Sequence, residues 1–443
     1  MNLTHKITLT ASLLIFSAAC GTGPEPDKRD TALSGGAAMD SLAERYLELA
    51  LAMGEHDPDY IDAYYGTEDL RDRIRDQALP LASIKDRIAA LRGDLAKIAP
   101  TGMESGEDAR LAYLKAQCTA MDARAEILTG AALTFDEEAK RIYDTEPPKN
   151  SEAFFKGLLE ELDGLLPGEV PLQARVEAFQ KGFVIAPEKL DAVFRAAIEE
   201  ARRRIPFPLP EGENFTVEYV TGKPWSGYNW YKGDYQSLIQ VNTDLPITID
   251  RAIDLACHEG YPGHHVYNVL LEHHLVRGRN WREFTVYPLF SPQSLIAEGT
   301  ANFGIQVAFP IDERLRFEKE VLFPLAGLDP EQAERYYRVQ AVLAKLKYAG
   351  NEAARGYLDG ELSGEDAVDW LVRYALMTRP KAEQRLKFIE KYRAYVINYN
   401  HGEDLVSAYV AAHGGGEDNP GARWRIFEAL ISTPRIPSEL EAR

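Results

Sequence analysis

Cysteine is scarce in this chain. Three occur in 443 residues, and one of them, Cys20, closes an N-terminal stretch of export-signal character. The other two, Cys118 and Cys257, are too few to form a disulfide framework. Positive charge is also short. Fifty Lys and Arg stand against 69 Asp and Glu, a formal charge of -19. That balance argues against a nucleic-acid or general anionic-surface binder, because phosphate recognition needs clustered cations. The body contains no run of about 20 apolar residues, so no spanning helix is expected there. There is no fixed-period repeat, and the helical segments differ in length, which speaks against a solenoid.

What is present begins with residues 1–20. MNLTHK carries one lysine, ITLTASLLIF is apolar, and SAAC supplies small residues before Cys20. This reads as an export signal. It resembles a bacterial lipoprotein signal, with Ser17 where such signals usually carry leucine. The resemblance implies a lipidated Cys20 as mature N-terminus and a lipid-anchored protein of the cell envelope, with a soluble secreted or periplasmic protein as the alternative. Removing the segment deletes Lys6 and no acid, taking the charge from -19 to -20. Residues 21–38, rich in Gly, Pro and Ala, suit a flexible tether.

Residues 39–205 read as an almost wholly helical region. Apolar residues recur at helical spacing, and breaks fall at Pro147-Pro148 and Pro167-Gly168. The texture changes at IPFPLPEGEN. FTVEYV (215–220) and QSLIQVN (236–242) read as strands around a Gly-rich aromatic stretch. The remainder is again helical, so 206–443 forms a second region, with one cleft formed by the two regions as the open alternative. The expectation is a large, mainly α protein with a small β-sheet ahead of a histidine motif.

That motif is ACHEGYPGHHVYN, residues 256–268. A regular helix rises about 1.5 Å and turns about 100° per residue, so ligands four apart share a face. His264 and His265 are six and seven residues beyond His258, about 9 and 10.5 Å along such a helix. Neither would meet His258 at one ion. Pro262, however, clashes with the carbonyl of residue 258 and lacks an amide donor. With Gly263 it should break the helix and swing His264 back toward His258. A third ligand is available in SPQSLIAEGTANFG. Glu298 lies mid-helix among apolar neighbours, where an unpaired carboxylate is costly. Asn302, one turn on, can hydrogen-bond a ligand histidine. Cys257 reads as a small buried thiol, and His273 and His274 as exposed helix residues.

HEGYPGHH followed by AEGTA resembles the bacterial domain-of-unknown-function 885 family, a relative of the gluzincin metallopeptidases. The likeness covers roughly residues 215–402. It implies a zincin-like fold, Zn2+ held by His258, His264 and Glu298, and Glu259 as general base. The departure from His-Glu-x-x-His leaves His265 as the alternative to His264. Late residues in YRAYVINYNHG, namely Arg393, Tyr395, Tyr399 and His401, are candidates for binding an oxyanion or a substrate carboxylate. QSLIQVN is the candidate strand for holding an extended peptide. Zinc acidifies a water and polarises a carbonyl, and Glu259 can carry the proton to the leaving amine. The function expected is peptide hydrolysis. The alternatives are a zinc amidase acting on a non-peptide amide and a lipid-anchored binding protein with a degenerate metal site.

Overall fold

Apolar residues three and four apart drive most of the chain into helix. The computed structural model describes residues 35–99, 106–223 and 225–441. Cys20, the export signal and most of the tether lie outside them; the first helix, α1 (Gly35–Gly54), begins inside the segment read as tether. The helix α2 (Glu107–Leu128) shows the pattern. Leu111, Leu114, Cys118, Met121 and Ala125 are buried on one face, and Glu107 and Asp108 occupy the positive first turn. The protein is 66% helical with only small sheets, which is the mainly α class expected. Among the described residues no helix is long and apolar enough to cross a membrane.

One apolar core runs from Met39 to Leu440 and takes side chains from both sides of residue 205. Strand β1 (Ile61–Tyr64), unforeseen in the sequence, pairs antiparallel with β5 (Val286–Pro288). Arg110 and Glu283, each 1% exposed, form a buried ion pair at 2.6 Å. Tyr113 donates to Gln293 at 2.8 Å, and the Arg124 guanidinium lies 3.6 Å over the Phe290 ring. The N-terminal helices therefore clamp the segment that leads into the later helix carrying Glu298. Removing one partner of such a buried pair typically costs about 3–5 kcal/mol.

The second sheet contains β2 (Asn214–Val220), β3 (Gly227–Gly233) and β4 (Gln236–Asn242), in the order β2-β4-β3. The aromatic stretch between the two expected strands is thus itself a strand. Asp234 and Tyr235, with φ of 52° and 61°, make the tight turn from β3 to β4. Buried Glu272 accepts hydrogen bonds from both turn amides and from Tyr231. QSLIQVN is β4, bonded to β2 on one side and β3 on the other. Its backbone groups are used on both edges, so it cannot receive a peptide as expected; β2 and β3 are the edge strands.

Candidate metal centre

The chain enters the motif through α3 (Asp250–Leu255) and leaves it through α4 (His264–Leu271). Between them Ala256–Gly260 widens into a π turn. Tyr261 N–H donates to Ala256 O at 2.9 Å and Gly263 N–H to Cys257 O at 2.8 Å, leaving the His258 carbonyl out of the ladder. This is the break that Pro262 demands. Gly263 is needed for close approach: a Cβ there would lie 2.0 Å from His258 O. The chain folds back, and the His264 ring meets the His258 ring edge-on, centroids 4.7 Å apart.

Glu298 arrives on α5 (Pro292–Ala308), with Pro292 at its first position. The helix is drawn against α7 (His401–Ala412), where a Cβ on Gly299 would lie 2.4 Å from Gly402 O. His258 Nε2 and His264 Nε2 are 3.2 Å apart, and Glu298 Oε2 lies 3.3 Å from the first and 3.8 Å from the second. That oxygen is buried and, despite the short separations, takes part in no hydrogen bond. A tetrahedral zinc site with bonds of about 2.0–2.1 Å has ligand–ligand edges of about 3.3–3.4 Å. Two of the three separations match the edges of such a tetrahedron, and the 3.8 Å from His264 to Glu298 is about 0.4 Å longer. The three residues offer two imidazoles and a carboxylate, the donor set of an open catalytic zinc site.

The surroundings orient these donors. Asn302 Nδ2 donates to Tyr399 O at 2.7 Å, which turns its Oδ1 toward His258 Nδ1 at 3.0 Å. That oxygen can only accept, so Nδ1 carries the proton and Nε2 presents its lone pair to the cluster. Tyr395 donates to Glu298 Oε1 at 2.9 Å, leaving Oε2 for the histidines. Burial alone would raise the Glu298 pKa, but the two imidazoles hold it well below the usual carboxylate range. His264 would be lowered by burial, yet Glu298 and the charge of Glu259 push it up to about 9.

Glu259 is buried on the π turn beside His258. Its backbone carbonyl accepts from Asn229 of β3 at 2.6 Å, while its carboxylate accepts no hydrogen bond from the described residues. Gly227 leaves room for that carboxylate: a Cβ there would sit 3.0 Å from Oε1.

The remaining candidates separate. His265 is fully buried away from the cluster, between Ser237 Oγ at 2.8 Å and Glu213 at 2.9 Å, so the geometry brings in His264 instead. Tyr395 stands behind Glu298, in contact with that carboxylate through its hydroxyl. Tyr399 packs edge-on against Tyr395 and stays 36% exposed. Although part of the ring is exposed, loss of solvent around its hydroxyl and the Glu298 charge raise its phenol pKa, so it remains a proton donor. Arg393 is not at the cluster. Its guanidinium bonds Glu138 at 2.5 Å and Leu133 O at 3.1 Å, which corrects its place among the site residues. His401 bonds Thr145 at 2.8 Å. Burial pushes the Cys257 thiol pKa far up, as suits a core residue. His273 and His274 are exposed.

Two nearby groups were not foreseen. Asp62 of β1 accepts from the Tyr228 hydroxyl. Loss of solvent raises its pKa to about 6, against the Tyr228 hydrogen bond and the His264 charge. Its segment, DPDYIDAYYG, has a β-branched and aromatic run between Pro58 and Gly66, a strand signal hidden among helices.

Neither a family model nor a curated protein matches this chain. Solved structures do resemble it. A candidate lipoprotein from Colwellia psychrerythraea has a TM-score of 0.50 at 14% identity, covering 83% of this chain and 70% of that one. A protein solved as CHT gives 0.48 at 12% identity over 92% and 94%. An M32 carboxypeptidase from Deinococcus radiodurans R1 gives 0.42 at 15% identity over 91% and 93%. At these identities the likeness concerns the fold alone.

Proposed function

We propose that the protein is a zinc-dependent metallopeptidase of the cell envelope, lipid-anchored through Cys20. The observation that carries the hydrolase reading is the triangle of His258 Nε2, His264 Nε2 and the unsatisfied Glu298 Oε2, with the free carboxylate of Glu259 next in sequence to one corner. A buried carboxylate oxygen without a hydrogen bond is costly, and a cation shared with two imidazoles removes the cost. Zinc held by these three residues supplies an acidified water and a polarised carbonyl.

The chain's own groups do the rest. Glu259 takes the proton of the attacking water and returns it to the leaving amine. Tyr399, kept protonated, donates to the oxygen that becomes negative. The open edge of β3, tied to the π turn through Asn229, offers backbone groups to an extended peptide. Asn302 and Tyr395 hold His258 and Glu298 in place. The test is turnover of a mixed peptide library by purified protein, before and after chelation and after zinc is restored. Cleavage that is lost and regained with zinc is expected. No cleavage of any peptide in the zinc-loaded state would overturn the reading.

A further inference from the structure

The helix α6 (Arg379–Tyr392) carries a cation that the site described above does not use. Most inward-facing arginines elsewhere meet acids: Arg110 meets Glu283, Arg124 meets Asp57, and Arg314 meets Asp254, while Arg423, buried over the Phe303 ring, meets none among the described residues. Arg385 is half-buried and has neither an ion pair nor a hydrogen bond among the described residues, and its Nε is fully enclosed without a partner. In a chain of charge -19, with acids in excess, a guanidinium left without one needs a reason. Withdrawing it from water is costly, and a ring beneath it offsets only part of that.

Its position supplies the reason. The guanidinium carbon lies 4.8 Å from the Phe388 ring centroid. Phe388 in turn lies 6.5 Å from Tyr395, whose hydroxyl holds Glu298. Gly350 passes beneath, where a Cβ would sit 3.6 Å from one guanidinium nitrogen. An aromatic wall therefore leads from Arg385 to the metal triad, and Tyr399, which packs on Tyr395, feels both the Arg385 charge and that of Glu298. A single planar fork matches a carboxylate, whereas a phosphate dianion calls for several cations.

We propose that Arg385 binds the C-terminal α-carboxylate of the substrate, so that the protein removes residues from the C-terminal end of peptides. This rests on the metallopeptidase reading for the cleavage but not for the binding. The test uses zinc-loaded Glu259→Gln protein, in which bound peptides persist, and a set of N-acetylated dipeptides, each as free acid and as C-terminal amide. Titration calorimetry should show acids binding about 10- to 100-fold tighter than amides, the range of a charge-assisted pair. Adding Arg385→Gln should abolish the preference at unchanged zinc content, and Arg385→Lys should restore part of it. The Arg385→Gln arm separates this contact from a carboxylate sitting on the metal. Equal affinity for acids and amides, no binding of either, or a preference that survives Arg385→Gln would overturn the anchor. Wild-type cleavage of both acids and amides would then leave peptide hydrolysis standing without it. Acid-selective binding lost in Arg385→Gln, with no wild-type turnover, would uphold the anchor and overturn the hydrolysis.

Discussion

Asn302 touches no substrate in this account, yet its removal should be felt at the metal. Its Oδ1 accepts from His258 Nδ1 at 3.0 Å, and its Nδ2 donates to Tyr399 O at 2.7 Å. Asn302→Ala deletes both contacts. His258 then loses the partner that fixes its tautomer, and its ring can turn about Cβ. Loss of such a partner costs about 10–100-fold in metal affinity, or about 1.4–2.7 kcal/mol. Asn302→Asp is the informative companion. Its carboxylate still accepts from Nδ1 but faces the Tyr399 carbonyl without a donor. It should retain zinc affinity while lowering stability by about 1–3 kcal/mol, the cost of an unsatisfied carbonyl and a crowded charge. The assay is competition with a chromophoric zinc chelator, alongside urea unfolding of each variant. Wild-type zinc affinity in folded Asn302→Ala would refute the orienting role.

Other perturbations separate the neighbouring residues. His265→Ala should keep full zinc occupancy but lose about 1–3 kcal/mol in urea unfolding, because Ser237 and Glu213 are left buried without their partner; His264→Ala should lose the zinc, and the reverse pattern would exchange the two histidines. In the metal-free protein, His264 is pushed up to about 9 by its carboxylate neighbours. Its raised pKa stabilises the fold fully below the ordinary histidine value of about 6.5 and is lost as pH rises through about 9. The depressed Glu298 works above about 4.3 and is lost on acidification. Zinc must displace the His264 proton, so its affinity should rise about tenfold per pH unit between pH 7 and 8, and a flat profile in the chelator competition would count against the pairing. Intact mass of the membrane fraction should show a diacylglyceryl adduct on a chain starting at Cys20; a soluble protein starting elsewhere would rule out the anchor.

Much of the fold was legible because apolar spacing is a local signal. Helices came from it directly, and QSLIQVN matched β4 residue for residue. Its place at the sheet centre was not legible, since the parallel partner β2 lies on the far side of an intervening strand. The strands β1 and β3 were hidden by aromatic residues that suit either a strand or a packed loop. At the site, Pro262 announced the break, and α5 announced Glu298. The choice between His264 and His265 depended on how far the chain unwinds. A π turn followed by close backbone contact at Gly263 settles that geometry, and residue spacing does not encode it. Tyr395 and Arg393 are two residues apart in one 3₁₀ turn, yet one meets Glu298 and the other meets Glu138. Asp62 lies nearly 200 residues before the motif and reaches the cluster only through the pairing of β1 with β5.

If His258, His264 and Glu298 hold a zinc ion beside which Glu259 moves protons, peptide turnover per bound zinc should collapse in Glu259→Gln. The glutamine is nearly the same size and leaves all three ligands in place, so zinc content and unfolding midpoint should match the wild type. Proton transfer by a positioned group contributes about 10²–10⁴-fold, so turnover should fall by at least that order. Near-normal turnover at full zinc occupancy would mean that the proton moves through another group and that Glu259 is not the base.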